Sequence, residues 1–134
     1  MRAVVDTSFW IDVWRGDVDA AEKEKIAELW RQGGSVLPQV VWLELWVGLR
    51  SPEERAYLMD LKAVSEWEPM TEADGLAAEQ HAVLLSRKGI VLAASDLLVL
   101  TVAHRLKLPL LHHDEDFDRA LKLPDFALQR GSSD

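Results

Sequence analysis

The sequence contains no cysteine, which excludes disulfides and thiolate metal sites alike and agrees with a reducing compartment. Long apolar runs are missing as well. Stretches such as Val91 to Ala94 extend only a few residues, far short of the roughly 20 that a membrane-crossing helix needs. Near the start, only Arg2 precedes a short apolar stretch, and Asp6 interrupts it; no export signal is expected. No glycine-rich phosphate loop is present, which argues against a nucleotide-binding switch. Positive charge is scarce: 15 Lys and Arg face 23 Asp and Glu, a net charge of -8. Neutralising phosphates supplies most non-specific nucleic-acid affinity, so a nucleic-acid enzyme with this balance must use its acids elsewhere. Cations at a shared carboxylate site would absorb some of them, and a basic partner segment would suit the rest.

What is present suffices for a core. The 134 residues are 49% hydrophobic and fit one domain, residues 1–134. Val4-Val5 reads as a short buried strand, followed by a helix capped by Thr7 or Ser8 and ended by Gly16. Asp19 caps a second helix, Ala20 to Gln32, stopped at Gly33-Gly34. Ser35 to Leu37 is a strand, and Pro38 suits the first turn of a helix to about Leu49. A helix from Ser51-Pro52 to Val64 follows, then a strand from Glu66 to Met70 limited by Pro69. Thr71 and Asp74 form a capping box for a helix to Lys88, and Ser95-Asp96 opens another to Leu106. Leu110 to His112 is a strand, Glu115 to Leu121 a short helix, and Phe126 to Gln129 a last strand. Short apolar strands alternating with helices predict an α/β fold with a mainly parallel sheet covered on both sides. Ligands of such folds sit at the carboxyl ends of the strands, where Asp6 and Asp114 fall.

Several carboxylates resist a purely structural explanation. Asp6 directly follows Val4-Val5; it is a good helix cap, but Thr7 and Ser8 already offer two. Glu44 is more informative. Its helical neighbours at three and four residues are Val40, Val41, Val47 and Gly48, none of which can pair with it. A carboxylate in so apolar a segment needs a cation, either a metal or an arginine such as Arg50 or Arg87. Asp96 opens an equally apolar helix, where the plain reading is a dipole-favoured first-turn acid. Asp114, Glu115, Asp116 and Asp118 follow the late strand; as a charge run they describe a solvated loop, with Asp114 nearest the strand end.

Taken together, these acids predict an oxygen-only site for a hard cation, Mg²⁺ or Mn²⁺. One or two such ions suit phosphodiester hydrolysis, activating water and stabilising the leaving oxygen. The four histidines are not first-choice ligands: His81 and His104 read as helix-surface residues, and His112-His113 as flanking the site. Arg15, Arg50, Arg87 and Arg119 are candidate phosphate contacts. Of the six tryptophans, Trp42 and Trp46 lie one turn apart beside Glu44 and suit either core packing or an interface.

At this point the chain resembles the PIN-domain proteins, and among them the VapC-type toxins. The opening Val4-Val5-Asp6-Thr7-Ser8-Phe9-Trp10-Ile11 is similar to the family's start. Glu44 with Gly48 and Arg50 is similar to its second acidic motif, and Ser95-Asp96-Leu97-Leu98 through Leu106 to its third. Leu110-Leu111-His112-His113-Asp114-Glu115-Asp116-Phe117 is similar to its fourth, although His112 stands where many members carry Thr. The resemblance covers almost the whole chain in order. It implies a three-layer α/β/α fold with four to five strands, with Asp6, Glu44, Asp96 and Asp114 or Asp116 as metal ligands supported by Thr7 and Ser8. It further implies Mg²⁺- or Mn²⁺-dependent endonucleolytic cleavage of RNA, a homodimer, inhibition by a cognate antitoxin, and a prokaryotic cytoplasmic setting without a membrane. Two rivals are a non-catalytic PIN-like binding module and a metal-dependent phosphatase. The haloacid dehalogenase type of the latter needs a second Asp two residues after the nucleophile, where Ser8 stands.

Overall fold

The computed structural model describes residues 1–131. Its four strands are β1 (Ala3–Val5), β2 (Ser35–Pro38), β3 (Glu66–Glu68) and β4 (Leu110–Leu111). They form one parallel sheet in the order β3-β2-β1-β4. Register pairs Val4 with both Val36 and Leu110, so β1 has a neighbour on each side. All three of its residues are completely buried, as expected of a parallel strand covered on both faces. The helices are α1 (Thr7–Arg15), α2 (Ala20–Gln32), α3 (Gln39–Val47), α4 (Pro52–Val64), α5 (Glu72–Arg87), α6 (Ala94–Leu106), α7 (Asp116–Leu121) and α8 (Ala127–Arg130), with a 3₁₀ turn at Pro124–Phe126.

The order of the strands decides where a site can form. From β1 the chain steps outward to β2 and β3, then returns to place β4 on the other side of β1. This reversal is a topological switch point, and the crevice lies beyond the carboxyl ends of β1 and β4. Asp6 leaves β1 there, and Asp114 and Asp116 leave β4.

Caps account for most helix boundaries. Asp19 and Glu22 form a reciprocal capping box on α2, and Thr71 and Asp74 do so on α5. At the end of α2, Gly33 takes a left-handed φ of 64°, and Gly34 is required by crowding: a Cβ there would meet the Met1 carbonyl oxygen at 2.0 Å. Asp74 does more than cap. It is 1% exposed and accepts from Arg105 Nε at 2.7 Å and Nη2 at 3.2 Å, while Arg105 also reaches Glu68 at 2.8 Å. One guanidinium thereby ties β3, α5 and α6 together. Burial opposes the Asp74 charge, yet the bonds from Arg105 and Thr71 outweigh it and hold the carboxyl below its ordinary range.

The structure corrects several boundaries. The expected strand over Phe126–Gln129 is helical: Phe126 and Gln129 are buried while Leu128 is exposed, a three-residue spacing that strand alternation cannot give. Pro124 starts that turn, and Gln129 Nε2 donates to the carbonyls of Ala103 and Leu108. Pro38 closes β2 and precedes α3 rather than lying inside its first turn, and β3 stops at Glu68, before Pro69. Of the tryptophans, Trp10 is fully buried. Trp42 and Trp46 are half-buried against α4, with Lys62 over Trp42 at 5.0 Å and Arg55 over Trp46 at 5.7 Å.

Candidate metal centre

The cap of α1 is Asp6, not Thr7 or Ser8. Its N–H still donates to the β4 carbonyl of Leu111 at 2.9 Å, which keeps Asp6 extended. Its own carbonyl already receives the N–H groups of Phe9 and Trp10. Strand pairing thus fixes the helix start one residue earlier than side-chain preference suggests. Asp6 is 3% exposed. Its Oδ2 accepts from Ser8 N at 3.1 Å and Ser8 Oγ at 2.6 Å, while its buried Oδ1 has no hydrogen-bond partner.

Glu44 comes from α3 and turns toward the same place: Thr7 Oγ1 donates to its Oε1 at 2.8 Å. The arginine pairing considered for it is not observed. Among the described residues, no Lys or Arg pairs with Asp6, Glu44, Asp96, Asp114 or Asp116. Asp96 lies in the first turn of α6, whose cap is Ala93 with no side-chain bond; Ser95 does not cap it. Asp114 Oδ1 accepts from Asp116 N at 3.0 Å, and Asp114 N donates to His112 Nδ1 at 3.2 Å. His112 therefore holds the bend of the acidic loop.

Asp96, Asp114 and Asp116 each offer a carboxylate oxygen within 4.8 Å of the others. Burial pushes the Asp96 carboxyl up to about 6, reinforced by the negative fields of Asp6, Asp114, Glu44 and Asp116. Asp96 thus lies within the field of all four other acids. Such an assembly of oxygen donors, with an orphaned buried oxygen and no protein cation, fits a hard divalent ion. Asp114 and Asp116 were alternatives in the sequence; the fold brings both to Asp96.

Sequence reasoning missed the support of this loop. His113 lies between two carboxylates, with Nδ1 2.6 Å from Asp12 Oδ2 and Nε2 against Glu22 Oε2, and its ring packs on Phe9. Burial opposes protonation, but Glu22 and Asp12 outweigh it and raise the His113 pKa. Its backbone N–H donates to Ser8 Oγ at 3.0 Å, the same hydroxyl that donates to Asp6. Ser8 is thus the hinge pin between the first strand end and the last. His81 is also more than a surface residue: half-buried, its Nδ1 lies 2.9 Å from Thr101 Oγ1. Because that hydroxyl donates to the Leu97 carbonyl, Nδ1 is the donor.

The candidate arginines separate. Arg15 and Arg50 line a cavity that Glu44 also lines. Arg87 sits on a different groove with Leu76 and Val83, and Arg119 donates to the Gly89 carbonyl.

The profile of the PIN domain matches residues 3–123. A chain of VapBC2 from Rickettsia felis, solved bound to a DNA fragment from its promoter, superposes with a TM-score of 0.75 at 16% identity, covering 93% of this chain and 95% of that one. A chain of a toxin–antitoxin complex from Klebsiella pneumoniae gives a TM-score of 0.63 at 18% identity, covering 92% and 93%. At these identities the likeness is one of fold. No curated protein matches the sequence.

Proposed function

The chain belongs to the PIN-domain family, and on that premise we propose that it is a divalent-metal-dependent endoribonuclease acting as the toxin of a toxin–antitoxin pair. The observation that carries the reading is the gathering of Asp96, Asp114 and Asp116 at the switch point, with Asp6 and Glu44 near enough to act on Asp96. Among the described residues, no Lys or Arg is paired with any of them. Mg²⁺ or Mn²⁺ suits these hard oxygen donors. Bound there, one or two such ions supply Lewis-acid chemistry for attack of water on a phosphodiester and for charge on the departing oxygen.

The chain's own part is positioning. Ser8 orients Asp6 through two hydrogen bonds, and Thr7 orients Glu44 through one. Support of this kind fixes ligand geometry and tunes affinity. The acidic loop is held from three directions: by His112, by the His113 imidazole and by the backbone bond to Ser8. No side-chain nucleophile is required.

The toxin role is supported by the fold likeness to chains of two toxin–antitoxin complexes. A cognate antitoxin, a homodimer, a one-domain chain over residues 1–134 and a prokaryotic cytoplasmic setting belong to the same proposal. The test is cleavage of a mixed structured RNA pool by the purified, partner-free protein in Mg²⁺, Mn²⁺ or EDTA, beside Asp96→Asn. Metal-dependent cutting that the variant lacks is expected. Cutting that persists in EDTA, or in a folded Asp96→Asn protein, rejects the role of this site.

A further inference from the structure

Beside Glu44, enclosed by α1, α3 and α4, lies a cavity of about 260 Å³. It is smaller than the roughly 300–1,000 Å³ of pockets for drug-sized ligands. Its wall is aromatic. Trp14 and Tyr57 lie with ring centroids 5.0 Å apart, and Trp14 remains 42% exposed. Behind them stands Trp10, fully buried, whose indole N–H has no acceptor. Tyr57 is fixed by its hydroxyl, which donates to the Trp10 carbonyl at 3.2 Å.

Two guanidiniums, Arg15 and Arg50, line the same cavity. Neither forms an ion pair among the described residues, although Glu44 and Glu54 line it too. Arg15 in the last turn of α1 favours the helix dipole, but Arg50 follows α3 and has no such explanation. In a chain of net charge -8, unpaired arginines beside a half-exposed aromatic face are a specific combination. A flat π-system with an attached anion meets both features.

We propose that this cavity is a subsite for one nucleotide of the RNA substrate. An unpaired base stacks on Trp14 and Tyr57, and the adjoining phosphate takes Arg15 and Arg50. The proposal rests on the ribonuclease reading and deepens it. Glu44 connects the two places, since it lines the cavity and is held by Thr7, the residue next to Asp6. The scissile phosphate lies over the centre and a neighbouring phosphate over the arginines, so the acidic cluster does not have to bind the chain unaided. A base within a duplex cannot leave its stack to enter such a cavity without unpairing, so the substrate is single-stranded at this nucleotide.

The experiment is fluorescence anisotropy of a labelled single-stranded oligoribonucleotide and its duplex, at low salt in EDTA, where no cleavage intervenes. Base stacking on an aromatic side chain predicts that Trp14→Ala binds the single strand at least about fivefold more weakly. Trp14→Phe, which keeps an aromatic face, restores most of that loss and controls for folding. Arg50→Gln lowers the slope of log affinity against log salt by about 1. Trp67→Ala, in β3 against Trp42 and outside the cavity lining, leaves binding unchanged. Unaltered affinity in Trp14→Ala together with an unaltered slope in Arg50→Gln overturns the subsite and leaves the cavity to a protein partner; so does wild type that fails to bind or prefers duplex. Cleavage is assayed separately with metal. Binding that depends on Trp14 and Arg50 in a protein that never cuts refutes the nuclease and keeps the subsite.

Discussion

Replacing Asp96 by Asn is expected to stabilise the metal-free protein at neutral to alkaline pH. Asp96 is pushed up to about 6 by burial and by four neighbouring carboxylates. A folded-state pKa above the unfolded value means that the native state holds the proton more tightly. Stability is therefore lost as pH rises from about 4 to about 6, and the full cost persists above that range. A carboxyl near 6 instead of 3.8 carries an unscreened cost of about 3 kcal/mol when ionised. Asp96 is only partly buried, and screening reduces this to about 1 kcal/mol. For a chain of this size that corresponds to about 3–5 °C in Tm. The assay is thermal unfolding by circular dichroism at pH 4.5 and pH 8, with EDTA or Mg²⁺, for wild type and Asp96→Asn. In EDTA the variant should melt higher at pH 8 and exceed wild type by much less at pH 4.5. In Mg²⁺ the order should reverse, because ligand binding stabilises only the protein that retains the site. A variant equal to or less stable than wild type at pH 8 in EDTA would refute the electrostatic reasoning.

Three further outcomes follow from the same structure. His113 has a raised pKa between Glu22 and Asp12, so its contribution is complete below its unfolded value and disappears as pH rises through the folded one. The stability gap between wild type and His113→Gln, followed by urea unfolding, should therefore be larger at pH 6 than at pH 8.5; a gap independent of pH contradicts the ionic clamp. Asp74→Ala should cost about 2–4 kcal/mol in the same assay, since it leaves Arg105 partly buried without its main partner; a loss under 1 kcal/mol would show that the pair is not a structural tie. Lys107 ends α6 in the left-handed region at φ 57°, so Lys107→Gly should stabilise by about 0.5–1 kcal/mol, and destabilisation would show that the Lys107 side chain makes a compensating contact.

How far the sequence reveals this molecule depends on how local each cause is. Glu44 is legible because its helical neighbours are all apolar, so its missing partner is visible without a fold. The capping boxes and the helix stop at Gly33 are legible for the same reason. The Asp6 cap is not, because Thr7 and Ser8 satisfy the same local rule and only the bond to Leu111, 105 residues away in sequence, decides among them. His113 could not be given its role, since its partners Asp12 and Glu22 precede it by 101 and 91 residues. Asp74 reads as half of a capping box and conceals its larger task until Arg105 packs against it. The segment at Phe126 is not legible, because a short apolar run carries too few residues to distinguish a period of two from one of 3.6.

The pairing of β1 with β4 has a consequence for synthesis. Val4 lies beside Leu110, so the strand made first waits for one of the last. A nascent chain that has emerged only through α6 already carries Asp6, Glu44 and Asp96, but it lacks Asp114, Asp116, the His113 clamp and the strand that suspends them. Closing so distant a contact is slow by topology, and until it closes the carboxylates do not form one centre. On the proposed nuclease reading, the centre stays incomplete while the ribosome is still making the chain, which leaves an interval before activity in which an inhibitor already present can reach it.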